Sequence, residues 1–246
     1  MGSEMCIRDS VGSLIVRTVL RARIPASSPS YAMHRWRRAA LPFFVLAIAD
    51  IVMGQIGVIL VQAMGSSADA GLFAVALRGS AVVALCFVGV AAAIGPSAAR
   101  HWASGDPAGL LRLVRRMALF SVAFAAPTAA FIAIFASPLM RIFGAEFTPA
   151  SNALRLLCLG QLVFATFGVF GTVLLMTGEE ALAARIMVGG LVVGVTLNVA
   201  LIPHYGVNGS AVATTLALIA CYGAMPIGLW RRWPQIRQAS GSLVRE

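Results

Sequence analysis

The sequence predicts an all-α, polytopic membrane protein with six transmembrane helices. Three observations carry that prediction. Of 246 residues, 59% are hydrophobic and only 11% charged, against about 25% charged in an ordinary soluble domain. Six apolar runs meet or approach the roughly 20 residues a helix needs to cross the hydrocarbon core. Away from the ends of those runs, the only charges are Asp50, Arg78 and Arg155. A soluble chain of this composition would expose apolar patches large enough to drive association. A bilayer removes that difficulty.

The first ten residues, MGSEMCIRDS, resemble a translated sequencing adapter. They are set aside as a non-native leader, with the expectation that the natural protein extends upstream. Residues 11–38 form a basic segment. In it Arg17 and Arg21 share one helical face and Ile15, Val16 and Val19 another, before Pro25, Pro29 and three serines make a linker. The expected spans are 39–64, 71–99, 117–140, 150–177, 181–202 and 207–230, followed by a tail over 231–246. Between the second and third spans, Asp106 can cap and Pro107 can open a surface helix reaching Met117, with Leu110, Leu111 and Val114 set apart from Arg112, Arg115 and Arg116.

Orientation follows from the basic residues. All 19 are arginine. Fifteen fall in 11–38, 100–116, 178–185 and 231–246, whereas the loops on the other side hold Arg141 alone. The arginine-rich side is therefore cytoplasmic, and both termini lie inside. Trp36, Trp102, Trp230 and Trp233 sit at the same helix ends, where an amphipathic ring prefers the interface. The formal charge of +10 is scattered between apolar runs rather than along one face, which fits lipid headgroups and excludes nucleic acid as the partner. Cys86, Cys158 and Cys221 lie within apolar runs, no cysteine pair has CxxC spacing, and His34, His101 and His204 are mutually isolated. Neither a metal nor a cofactor is expected.

Several stretches then carry a family resemblance. They are GLFAVALR from Gly71 to Arg78, Pro96 followed by Gly105 and Asp106, Phe143 and Gly144 before a polar break, LMTG ending at Gly178, and NVALIPHYGVNGSAVAT over 198–214. Together, over residues 39–230, they resemble the polysaccharide-transport branch of the superfamily of multidrug, oligosaccharidyl-lipid and polysaccharide exporters. The resemblance implies a two-lobe transporter, each lobe of six helices, enclosing a central cavity. It implies movement of isoprenoid-diphosphate-linked sugars, such as O-antigen or lipopolysaccharide precursors, across the bacterial cytoplasmic membrane. This chain matches the second, C-terminal lobe, so the implied partners are membrane lipids, a lipid-linked oligosaccharide and a missing N-terminal lobe or second chain.

Asp50 lies eleven residues into the first span, roughly 16 Å deep, where an acid must be paired, protonated or in water. It is the candidate coupling or gating residue, with a structural ion pair as the alternative. Arg78 is the first candidate for the substrate diphosphate, because its planar fork suits phosphate oxygens; snorkelling or pairing with Asp50 are the alternatives. Arg155, nearer the outer interface, is the second candidate. Gln55, Gln161 and Asn198 are candidate cavity or helix contacts. Gly190 with Gly194, and Pro127, are read as packing and hinge positions. The alternative transport reading is a cation-coupled drug exporter of the same superfamily. A membrane-embedded enzyme is disfavoured because every histidine lies at a helix end. Reporter fusions after Ser66, Arg100, Arg141, Arg185, His204 and Glu246 are expected to read out, in, out, in, out and in. An external signal at Glu246 would overturn the topology.

Overall fold

The computed structural model describes residues 33–243, with side-chain surroundings over 40–234. The expected leader, the amphipathic stretch 14–23 and the proline-serine linker lie outside the described residues. The rest is helical. In order come α1 (Met33–Met64), α2 (Ser67–Ala103), α3 (Pro107–Ile134), the short α4 (Ala136–Phe143), a 3-10 turn (Ala145–Ala150), α5 (Ser151–Met176) and the continuous stretch Glu180–Leu243.

Local chemistry sets the helix boundaries. Ser66, extended at φ −125° and ψ 162°, caps α2 by accepting the Asp69 amide at 3.1 Å. Asp106 caps α3 by accepting from the Gly109 amide at 2.8 Å, with Pro107 in the first turn. That amide, and then His101 at 3.3 Å, hold the Asp106 carboxyl below the ordinary value of an aspartate. The expected surface helix and third span are one element, because no glycine or proline interrupts 110–126. That element stops at Ile134 rather than Met140. Pro138, in the first turn of the next helix, offers no amide to the Ile134 carbonyl, whereas Pro127, the expected hinge, lies inside α3 without ending it.

The last stretch is two spans. Gly206 has φ 54° and ψ −130°, a left-handed conformation that a side chain would strain, and it separates α6 (180–205) from α7 (207–243). The two arms run antiparallel. A Cβ on Gly190 would lie 2.6 Å from the Cys221 Cβ, and one on Gly194 3.0 Å from that of Ala217. Ser210 Oγ donates to Asn198 Oδ1 at 2.6 Å. The partners' numbers rise on one arm as they fall on the other, so the chain reverses at Gly206. Six crossing arms result, as the six apolar runs predict.

The central helix is α5. It packs on α2, α3 and the α6–α7 pair, with Leu154, Leu157, Cys158, Ala165, Val169 and Val173 buried. Gly160 and Gly168 let neighbours close in, since a Cβ at either would fall 2.9 Å from Leu218 or 2.8 Å from Phe87. Phe164 stacks edge-on against Phe87 at 4.9 Å and Tyr222 at 4.7 Å, tying α2, α5 and α7. By contrast, α1 rests on the bundle through Ala49, Gly57 and Val61 and exposes Phe43, Phe44, Ile48, Ile51 and Ile59.

Gly190→Ala is expected to lower thermal stability in detergent by about 1–3 kcal/mol, the usual cost of overpacking. Adding Cys221→Gly removes the Cβ it meets and should restore much of the loss. Unchanged melting of Gly190→Ala would contradict this register between the arms.

Candidate functional site

The positions of the six candidate residues divide them into two groups. Asp50 and Gln161 share a cavity of about 160 Å3 between α1, α2, α5 and α7, lined also by Met53, Gly54, Leu77, Phe164, Thr214, Leu218 and Tyr222. Helical periodicity assembles it. Asp50, Met53 and Gly54 stand at i, i+3 and i+4 on α1, and Thr214, Leu218 and Tyr222 at i, i+4 and i+8 on α7. Thr214 and Tyr222 were not among the sequence candidates. Their common face was readable in the apolar pattern of the sixth span, but what faces it was not.

Arg78 lies outside this cavity. Its neighbour Leu77 supplies the wall, and one residue on a helix turns the side chain by about 100°. Gly57 faces Phe73 across the α1–α2 hairpin, a register that sets Asp50 within about one turn of Arg78 in depth. The direct pairing weighed from the sequence is not formed: the ion pairs among the described residues are His101 with Asp106 and Glu179 with Arg232. Asp50, Gln55 and Arg78 are all exposed on the surface of the bundle. All three lie within apolar spans.

Two other candidates are committed to structure. Arg155 is exposed, yet its Nε donates to the Ala133 carbonyl at 3.1 Å and its Nη1 to Asn152 Oδ1 at 2.9 Å, with Ser137 Oγ at 3.5 Å. It thus satisfies a last-turn carbonyl of α3 beside the break before Pro138. Asn198 is buried, donates to the Gly194 carbonyl at 2.8 Å and accepts from Ser210. It closes the α6–α7 hairpin as polar glue between spans.

Because Asp50 and Arg78 are not in contact, Asp50→Asn and Arg78→Gln are expected to act additively on thermal stability, to within about 0.5 kcal/mol. Recovery of stability in the double variant beyond either single one would reveal an ion pair.

The MatE family model matches residues 42–200, which takes in α1, α2, α3, α5 and most of α6. The probable low-salt glycan biosynthesis flippase of Haloferax volcanii is 29% identical over 66% of this chain and 34% of its own. An uncharacterized membrane protein of Methanocaldococcus jannaschii is 26% identical over 67% of this chain and 33% of its own. The chain thus aligns with about a third of the length of these relatives. With the family match covering residues 42–200, more than half of the chain, this chain belongs to the MatE family, in the superfamily of multidrug and polysaccharide exporters whose motifs it bears.

Proposed function

We propose that this chain is one lobe of a flippase for isoprenoid-diphosphate-linked glycans. The observation that carries the reading is the exposure of Asp50, Gln55 and Arg78 on α1 and α2. An ionised side chain at membrane depth is costly against hydrocarbon and is ordinarily found in a protein interior or a watery cavity. Polar groups exposed at this depth on two adjacent spans are therefore read as facing watery space that a second lobe closes, although Asp50 and Arg78 lie on different faces. That lobe is either the upstream part of the same protein or another chain. The flippase named among the relatives supports a glycan substrate, and alternating access by rocking of two such lobes is the general mode of repeat-built transporters.

In this reading Arg78 meets the diphosphate, which its fork-shaped guanidinium can bind through two parallel hydrogen bonds. Asp50, in its own cavity with Gln161 and Thr214, is the coupling or gating carboxylate. Arg155 and Asn198 hold helices rather than substrate. The arginine-rich end faces the cytoplasm, with both termini inside. One observation favours the second reading, a cation-coupled drug exporter: Asp50 shares its cavity with the rings of Phe164 and Tyr222, a combination suited to an organic cation.

The test uses the chain together with its second lobe in a strain lacking its own flippase. Arg78→Gln, at normal abundance, is expected to abolish surface glycan, and Arg78→Lys to retain part of it because charge remains while the fork is lost. Full surface glycan from Arg78→Gln would remove the diphosphate role. Drug resistance without glycan export would establish the second reading.

A further inference from the structure

A second concave region lies far from the Asp50 cavity. It is a cleft of about 690 Å3 lined by Ser97, Arg100, His101, Ala103 and Ser104 at the end of α2 and by Leu113 on α3. Leu77, on the Asp50 cavity, is twenty residues earlier on α2, roughly 30 Å along the helix axis. The cleft therefore sits at the arginine-rich end of the bundle.

Its charge is unbalanced. Arg100 donates from Nη2 to Ser97 Oγ at 3.1 Å, and Arg112 from Nε to its own helix at the Ala108 carbonyl, at 3.4 Å. Arg116 stands one turn beyond Leu113 on the same side of α3. None of these guanidinium groups makes an ion pair among the described residues. One carboxylate, Asp106, is held by the Gly109 amide and by His101, with the Arg112 charge a weaker influence on it, so that Arg100 and Arg116 carry the excess. The Ser97 hydroxyl, which accepts from Arg100, adds a donor, whereas that of Ser104 is spent on the His101 carbonyl at 3.2 Å; Ala103 and Leu113 supply the apolar lining. Such a basic recess between spans, at the level of the headgroups, has the chemistry that retains anionic lipid.

We propose that this cleft binds the phosphate of an anionic phospholipid headgroup of the cytoplasmic leaflet, separately from the transport cavity. Arg100 and Arg116 grip the phosphate from α2 and α3, and the Ser97 hydroxyl donates to a remaining oxygen. The leaflet follows from the orientation proposed above, but the binding itself does not. Lipid rather than soluble phosphate is the occupant because the floor is apolar and both helices leave the membrane beside it.

The test is native mass spectrometry of the purified chain from detergent, offered equal phosphatidylglycerol and phosphatidylcholine. The wild-type chain is expected to retain phosphatidylglycerol over phosphatidylcholine by about five-fold, the scale of one guanidinium near a lipid phosphate. Arg100→Gln with Arg116→Gln should reduce that preference to below about two-fold, with helix content by circular dichroism unchanged. Arg231→Gln, at an exposed arginine of α7 outside the cleft, should leave it intact. An unchanged preference in the Arg100 and Arg116 variant would overturn the site. Equal loss in Arg231→Gln would reduce it to general surface charge and overturn it too. Displacement of the lipid by millimolar pyrophosphate would show a soluble phosphate as occupant and overturn the lipid assignment. Loss of lipid preference with glycan export intact would leave the flippase reading standing, and the reverse result would leave this site standing.

Discussion

The fold depends on how closely helices can approach α5. Once apolar helices are in a bilayer, burial against each other gains little over burial against lipid tails. Close packing and interhelical hydrogen bonds must then hold the bundle. On α5, Gly160 and Gly168 admit α7 and α2 to contact distance. Around them, side-chain hydroxyls reach across to backbone carbonyls: Ser121 to Ala165 at 2.6 Å and Thr215 to Leu156 at 2.8 Å. Arg155 does the same in the opposite direction, from α5 to the end of α3. Each bond joins α5 to a different neighbour or a different level of the same one. The ring contacts of Phe164 with Phe87 and Tyr222 lie in the same seam.

This arrangement explains the contrast between α5 and α1. The most enclosed helix, α5, contributes Gln161 and Phe164 to the Asp50 cavity. That cavity opens where packing is thinnest, along α1, which rests on the bundle through Ala49, Gly57 and Val61. Another recess, of about 340 Å3, lined by Leu41, Pro42, Val45, Ala181, Ala184, Arg185 and Val188, lies between α1 and α6. Elements that move in transporters are drawn from the less tightly held parts of a structure. The placement of the acid and of the loosely docked helix on the same element is consistent with such motion.

The polar residues within the spans show how one residue type can serve two ends. Arg78 and Arg155 are alike in the sequence, each a lone cation in an apolar run. Their surroundings separate them. Arg155 stands beside the end of α3, where the Ala133 carbonyl is available to it. Arg78 stands in the middle of an unbroken helix whose carbonyls are already bonded, so its donors stay outward. Similarly, Asn198 and Gln55 are both amides within spans, but only Asn198 has a hydroxyl opposite it on the returning arm.

What the sequence determined by itself was set by solvent and by local backbone rules. Composition and the lengths of the apolar runs required six membrane-crossing helices, because a bilayer accepts little else. Asp106 and Pro107 fixed one helix start, and Gly206 supplied the left-handed residue at which the last hairpin turns. Asp50 could be recognised as deep within its span, since rise per residue is a property of one helix, and Arg78 as a lone cation in an apolar run. Only the tertiary structure decided that they point to different faces, that Thr214 and Tyr222 join Asp50, and that Arg155 is bound to α3. Those outcomes depend on the rotation of each helix about its axis and on which helix lies opposite. Both are set by contacts between residues distant in the chain, which no local pattern records.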